Sequence, residues 1–233
     1  QRLDQLHVHA LGQAADIVVA LDGRRIARAA VRHPQSGLRL EPGGVPARAA
    51  RGLRRDGRRR LQEYGWRRFL VPGSITLPGL HRVIQEVMGW ENCHLHRFRF
   101  KDKEYGVPDP EFPSEMRNER GRRLREFLRE EGETFGYQYD FGDDWEHDVV
   151  VERIVIGAEV TDAMCLEGER ACPPEDVGGP PGYMEYLKAL RDPSHPEHEQ
   201  MVEWRGPSFD PERFDPAAIN RRLSLLSRRR ERA

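Results

Sequence analysis

The chain has 233 residues, of which 37% are hydrophobic and 33% are charged. It is more polar than the usual globular domain, which has about 45–50% apolar and about 25% charged residues. Its longest aliphatic run, residues 14–21, is interrupted by Asp16 and is too short to cross a bilayer, so the sequence predicts no membrane span. Three cysteines do not make a disulfide framework, so we expect a protein of the reducing cytoplasm.

The net charge of −1 hides opposite charges in two parts of the chain. Residues 1–65 carry 13 Arg, no Lys and six acidic residues, a net charge of +7, and the remainder has a net charge of −8. This first segment is rich in Arg, Gly and Ala and has one aromatic residue, so it buries too little apolar surface to offset its chain entropy. We therefore predict a segment of low order at 1–65, a domain at 66–226 and a basic tail at 227–233.

Three interpretations of the first segment stay open. It is a basic arm that binds nucleic acid through phosphate contacts, an inert tail, or the product of translation in a wrong frame or from a wrong start. The third is favoured, because wrong frames of GC-rich DNA yield text rich in Arg, Ala, Gly and Pro. The arginines that would contact nucleic acid are Arg54, Arg55, Arg58, Arg59 and Arg60.

From Trp66 onward the sequence predicts regular elements. Strands are predicted at 67–71, 95–101, 134–141 and 145–156, and helices at 76–88, 124–129, 183–190, after a capping box at Ser194, and from Asp215. Residues 157–181 are rich in Gly and Pro and predict a long loop. Its segment 173–182 is rigid by composition and is interpreted as a structural wrap across the sheet, with a site on an ordered loop as the alternative. The sum is an α+β fold: an antiparallel sheet, α/β-roll-like, with helices packed on one side and a C-terminal helical segment.

Two predicted strands carry histidines on their apolar faces, and these histidines form the candidate site. Alternation places His94 and His96 on one face, and His147 beside Trp145 on another. If these faces converge with Asp143 or Asp144, the histidines bind a divalent Zn, Fe or Mn ion, and Glu146 accepts a proton. The alternative, favoured because His-x-His is a weak signal, is that these histidines are hydrogen-bonded core residues. The full candidate set is His94, His96, Asp143, Asp144, Trp145, Glu146 and His147.

The cysteines give a weaker metal hypothesis. Cys165 and Cys172 are separated by six residues, whereas paired zinc ligands are usually separated by about two to four. They would supply two thiolates only if histidines supplied the rest, and buried or loop thiols are the favoured interpretation. The sequence has no glycine-rich phosphate loop, no dinucleotide fingerprint and no nucleophile elbow, so we expect no nucleotide cofactor.

Several motifs in order resemble the plasmid pRiA4b ORF-3-like family. They lie at residues 66–73, 80–85, 88–96, 139–147, 168–180, 192–199 and 209–211. The resemblance implies an α/β-roll-like fold, an association with plasmids and insertion elements, a TnpR-type passenger label for some members, and no assigned catalytic activity. Two departures matter. Val177 stands where members often have Cys, which weakens a cysteine-based metal site, and residues 58–65 do not look like the usual strand before Trp66, which predicts an unpaired sheet edge.

We therefore predict a bacterial, mobile-element-associated accessory protein that binds a protein or nucleic-acid partner and is not an enzyme. One alternative is a metal-dependent enzyme of hydrolase type that uses the His/Asp cluster. The other is a nucleic-acid binder that uses the arginine-rich arm. The net charge of −8 on residues 66–233 argues against carrying recombinase chemistry over from the passenger label.

Overall fold

The computed structural model describes residues 15–22, 65–111, 115–156, 160–206 and 209–230. The strands in this part of the chain are β1 (Ala15–Asp22), β2 (Trp66–Pro72), β3 (His96–Phe100), β4 (Lys103–Gly106), β5 (Arg117–Asn118), β6 (Thr134–Tyr139), β7 (Trp145–Ile156) and β8 (Met164–Glu169). The helices are α1 (Leu77–Met88), α2 (Gly179–Arg191), α3 (His198–Arg205) and α4 (Pro216–Arg230), with a 3-10 turn at Leu124–Glu126. None of these helices is long and apolar enough to cross a bilayer.

The strands form one sheet in the order β5-β4-β3-β6-β7-β1-β2-β8. Neighbours pair antiparallel except β4 and β5, which are parallel. One face of the sheet is apolar because alternate side chains of the strands are buried there, among them Phe69, Phe98, Tyr137 and Val149. The predicted α+β class, with an antiparallel sheet and helices on one side, is confirmed.

Helix α1 contacts β2, and both of its ends are capped. The Thr76 side chain accepts a hydrogen bond from the Gly79 backbone N–H, and Gly89 ends the helix in the left-handed conformation at φ 97°. Apolar residues at helical spacing, including Leu80 and Ile84, are fully buried. Helix α4 packs against both α1 and β8.

The other face of the sheet carries cross-strand ion pairs. Arg68 of β2 contacts Glu152 of β7 and Glu167 of β8, and Arg99 of β3 contacts Glu146 of β7.

The structure differs from the prediction that residues 1–65 lie outside the domain. Residues 15–22 form β1, which lies between β7 and β2 and buries Ile17 and Val19 in the core. The predicted unpaired edge at β2 is therefore wrong, because β1 and β8 flank that strand. The prediction missed β1 because the polar composition of residues 1–65 as a whole outweighed the one short aliphatic run at residues 14–21. The five arginines of the predicted nucleic-acid arm lie outside the described residues.

Three other boundaries differ. Residues 164–169 of the predicted long loop form strand β8, which pairs with β2 through a register shift. Helix α3 starts at His198, and Ser194 instead donates from its backbone N and its Oγ to Asp192 Oδ1, so the capping-box prediction is wrong. Helix α4 runs to Arg230 and so includes the first residues of the predicted basic tail.

Candidate functional site

Three chain segments meet at one end of the sheet. Cys93 and His94 lie in the turn before β3, Asp140 directly follows β6, and Glu175 with Asp176 lies in the Pro/Gly-rich loop before α2. Residues far apart in sequence are therefore adjacent because β3 and β6 are paired neighbours. We call His94, Asp140, Glu175 and Asp176 the His94 cluster.

The His94 cluster has the dimensions of a metal site. His94 Nε2 lies 3.1 Å from Asp176 Oδ1, 3.5 Å from Asp140 Oδ2 and 3.9 Å from Glu175 Oε2. Ligand bonds of about 2.0–2.2 Å place neighbouring ligand atoms about 3–3.5 Å apart around one ion. Asp176 is 70% exposed in its side chain, so one side of the cluster faces solvent.

Two buried polar atoms of the cluster have no hydrogen-bond partner. His94 Nε2 and Glu175 Oε2 are both inaccessible to solvent and make no hydrogen bond, and the Glu175 side chain is 6% exposed. The 3.1 Å separation of His94 from Asp176 therefore lacks the direction that a hydrogen bond requires. Burying a carboxylate oxygen without a partner is costly, and a cation among these atoms would remove that cost.

Tyr139 fixes the buried carboxylate of this cluster. Its hydroxyl donates to Glu175 Oε1 over 3.0 Å and accepts from the Cys93 backbone N over 3.2 Å. The backbone N of Glu91 donates to the same Oε1 over 2.8 Å. Burial, with the Glu175 hydrogen bond, raises the pKa of Tyr139 well above its ordinary value, so the hydroxyl stays a donor. Oε1 is thereby saturated, and Oε2 is left facing His94.

Helix α1 holds the turn that carries Cys93 and His94. His81 Nε2 donates to Asn92 Oδ1, and the Asn92 backbone N donates to Gln85 Oε1 over 3.0 Å. Burial and the neighbouring His96 lower the pKa of His81 to about 3, so its ring is neutral. Its Nδ1 therefore accepts from Tyr137 Oη over 2.9 Å, which fixes the tautomer. The network keeps Asn92 in the left-handed conformation, at φ 58°.

Left-handed backbone recurs around the cluster. Asp140 and Asp176 have φ values of 57° and 56°, a conformation that short polar side chains tolerate better than others. Asp140 Oδ1 accepts from the Gly142 backbone N over 2.9 Å, which leaves Oδ2 for His94. Such residues concentrate at functional sites, where surrounding structure holds them in place.

Gly179 permits the close approach that brings the Pro/Gly-rich loop to the β6–β7 turn. It has φ 65°, and a Cβ there would lie 2.2 Å from the Asp143 backbone O. We expect Gly179→Ala to lower the free energy of unfolding by more than the roughly 1–3 kcal/mol of backbone strain, because α2 must also shift. The matched control is Gly89→Ala, with φ 97° and nothing within 4 Å, which meets backbone strain alone. Urea unfolding measures both, and equal losses would contradict the steric argument.

The structure brings one predicted histidine into the cluster and leaves two out. His96 Nε2 bonds Glu119 Oε2 over 3.0 Å, and its ring stacks on His81 at 3.5 Å. His147 Nδ1–H donates to the Trp145 backbone O over 3.0 Å. Neither belongs to a group of metal-ligand spacing among the described residues, and both are buried and hydrogen-bonded.

The predicted carboxylates and tryptophan are also placed elsewhere. Asp143 Oδ2 accepts from the Gly178 backbone N over 3.1 Å, and Asp144 Oδ1 accepts from Gln138 Nε2. Glu146 faces Arg99 on the charged side of the sheet, and Trp145 is buried in the core. These four residues shape or flank the β6–β7 turn without contributing to the His94 cluster.

Cys165 and Cys172 belong to neither group of metal-ligand spacing in the described part of the chain. Burial raises the pKa of Cys165 to about 11 and raises that of Cys172 as well, so both are protonated thiols at neutral pH. They fit the favoured interpretation as buried thiols.

Sequence reasoning missed Asp140, Glu175, Asp176, Cys93 and Tyr139 as site residues. The sequence predicts a turn at Asp140 and a rigid structural wrap at Glu175 and Asp176. The available signal was that two acidic residues interrupt a Pro/Gly-rich loop, because such a loop can carry a site when it is ordered.

His147 makes the stability of the chain depend on pH. Burial lowers its pKa to about 4, whereas the unfolded chain protonates near the ordinary 6.5. Its contribution is therefore complete above pH 6.5 and is lost as the pH falls to about 4, by about 3 kcal/mol. We expect His147→Phe to reduce this acid loss by that amount in urea titrations at pH 7 and pH 4. Because the pKa of His81 is also lowered by burial, the dependence of the free energy of unfolding on pH becomes weaker in His147→Phe but does not vanish. An unchanged pH dependence would contradict the role given to His147.

Comparisons with known proteins give a family, a relative and a similar solved structure. The sequence model of the plasmid pRiA4b ORF-3-like proteins matches residues 60–218. The uncharacterized protein y4hQ of Sinorhizobium fredii (strain NBRC 101917 / NGR234) is 43% identical over 155 residues, 66% of this chain and 78% of that protein. A crystal structure of MM3350, a protein of unknown function from Methanosarcina mazei Go1, superposes with a TM-score of 0.63 at 30% identity, covering 88% of this chain and 97% of that one. The family match spans the whole His94 cluster.

Proposed function

The chain belongs to the plasmid pRiA4b ORF-3-like family, and from that premise we propose that it binds one divalent metal ion at the His94 cluster. The observation that carries the proposal is the buried His94 Nε2, which makes no hydrogen bond although carboxylate oxygens of Asp140 and Asp176 lie 3.5 and 3.1 Å away. These two separations suit a shared ion, and their directions do not suit a hydrogen bond.

Charge supports the same proposal. Three carboxylates lie within 4 Å of one imidazole nitrogen, so the cluster is strongly anionic when ionised. Like charges this close repel one another, and Glu175 is too buried for solvent to screen it. A divalent cation offsets most of this charge. Oxygen-rich sets with one imidazole suit Mn²⁺ best and also accept Fe²⁺ and Zn²⁺.

The solvent-facing side of the cluster gives the metal a chemical role. Asp176 is exposed and His94 is 28% exposed in its side chain, so a water molecule can complete the coordination. A metal-bound water becomes a nucleophile near neutral pH. The activity that this centre supports is therefore metal-dependent hydrolysis in the reducing cytoplasm.

Calorimetric titration of the metal-stripped full chain with Mn²⁺ tests the proposal. We expect one binding site, and a loss of affinity of at least about 10–100-fold in Asp140→Asn. Asparagine keeps the Oδ1 acceptor that caps the turn, so the fold is spared. The matched control is Asp144→Asn, at φ 55° in the same turn but outside the cluster, which keeps the affinity. No binding by the wild type, or equal binding by Asp140→Asn, overturns the proposal.

Hydrolysis is tested separately with p-nitrophenyl acetate and bis(p-nitrophenyl) phosphate. We expect turnover by the Mn²⁺-loaded chain and none by Asp140→Asn. If the chain binds Mn²⁺ but hydrolyses neither compound, the proposed metal site stands and the proposed hydrolysis of these ester classes is contradicted.

A second candidate function is that of a mobile-element-associated accessory protein that binds a partner. Two observations support it. The family is named after a plasmid open reading frame. Two apolar side chains next to the cluster in sequence are exposed, Leu95 at 56% and Phe141 at 43%. A Leu95→Ser/Phe141→Ser double variant that keeps Mn²⁺ affinity but loses a partner from co-purification would favour it. Identical co-purification would contradict it.

A further inference from the structure

Cys93 lies beside the His94 cluster, and we infer that its thiolate is a ligand when a thiophilic metal such as Zn²⁺ or Co²⁺ occupies the site. The inference rests on the proposed metal site and extends it to a second ligand set. His94 is common to both sets, and Cys93 with Glu175 takes the place of Asp140 and Asp176.

The second ligand set consists of Cys93, His94 and Glu175. One ligand atom from each of Cys93, His94 and Glu175 lies within 4.8 Å of the other two. Cys93 is a free, exposed cysteine. It differs in this respect from Cys165 and Cys172, whose burial keeps them protonated. An exposed thiol is accessible to an incoming metal ion.

The unpartnered oxygen of Glu175 is the second, independent observation. Oε2 is buried without a hydrogen bond, although Oε1 of the same carboxylate accepts two. Tyr139 ties this group to Cys93, because its hydroxyl bonds Glu175 Oε1 and lies 3.9 Å from Cys93 Sγ. A ligand atom that is already buried and oriented pays little further desolvation when a metal arrives.

The donor atoms divide by hardness. Thiolate and imidazole with one carboxylate form a borderline-soft set, which Zn²⁺ and Co²⁺ bind at tetrahedral sites with one position left for water. Asp140 and Asp176 with His94 form the hard set, which suits Mn²⁺. The cluster therefore distinguishes metals by which neighbours of His94 it uses, and binding a thiophilic ion releases the thiol proton to solvent.

Cobalt absorption on the metal-stripped full chain tests the role of Cys93. We expect the thiolate-to-cobalt charge-transfer band in the wild type and in Cys172→Ser, a thiol control, and no band in Cys93→Ser. Competition titration should show the Zn²⁺ affinity of Cys93→Ser lowered by about 10–100-fold or more, with the Mn²⁺ affinity unchanged.

The outcomes separate this inference from the proposed function. Co²⁺ bound without a thiolate band, or with the same band in Cys93→Ser, overturns the role of Cys93 and leaves the metal site standing. A chain that binds none of Co²⁺, Zn²⁺ and Mn²⁺ overturns both.

Discussion

His94→Ala removes the stabilisation that Mn²⁺ gives to the folded chain. His94 Nε2 lies within 4 Å of a carboxylate oxygen of Asp140, Glu175 and Asp176. Removing the imidazole therefore removes the ligand atom that lies next to all three carboxylates. A ligand that binds the native state alone, at 100 times its Kd, raises the free energy of unfolding by about 2.7 kcal/mol. We expect an increment of this size in the wild type and none in His94→Ala, measured by urea unfolding with and without Mn²⁺.

The control for this experiment is His195→Ala. His195 also faces a carboxylate, with Nε2 3.2 Å from Glu185 Oε1, but it belongs to no group of metal-ligand spacing in the described residues. Its replacement should retain the Mn²⁺ increment whatever it does to baseline stability. An increment that survives in His94→Ala, or disappears in His195→Ala, would contradict the assignment of His94.

Arg67→Ala gives the largest loss of stability that we expect from a single side chain. The guanidinium is 2% exposed and donates to four backbone carbonyls, namely those of Trp66, Val87, Glu169 and Arg170. These carbonyls belong to β2, the last turn of α1 and the end of β8, so one side chain joins three elements. Removing it leaves buried acceptors unpaired, and we expect a loss of about 3–5 kcal/mol in chemical unfolding.

Arg67→Lys and Arg222→Ala complete this test. Lysine keeps the charge but lacks the planar fork that serves four carbonyls, so we expect a partial rescue. Arg222 bonds Glu86 at the exposed surface, and its loss should cost less than about 1 kcal/mol. A loss in Arg67→Ala no larger than that in Arg222→Ala would mean that the carbonyls find other partners.

Much of the fold could be predicted because local signals and tertiary structure agree. Thr76 and Gly89 bound α1 as their capping chemistry requires, and alternation along 145–156 predicts the buried face of β7. The prediction failed where a long-range pairing decided the structure. β1 is a strand because it fills the space between β7 and β2, and β8 is one because it pairs with β2. The partner of each strand lies far away in the sequence, and the short aliphatic run of β1 does not identify it.

Of the four residues of the His94 cluster, only His94 could be predicted from the sequence. His94 stood out because imidazole is a familiar ligand, whereas Asp140, Glu175 and Asp176 looked like turn and loop residues. His96 and His147 misled because strand alternation gives the face of a side chain but not its partner. The structure pairs His96 with Glu119 and buries His147 against Trp90, which a periodicity cannot reveal.

Anomalous X-ray diffraction from crystals grown with Mn²⁺ would locate the proposed ion. We expect one strong peak about 2.0–2.3 Å from His94 Nε2, Asp140 Oδ2 and Asp176 Oδ1. A map with no peak at this position, and with His94 Nε2 hydrogen-bonded directly to one of these carboxylates, would contradict it.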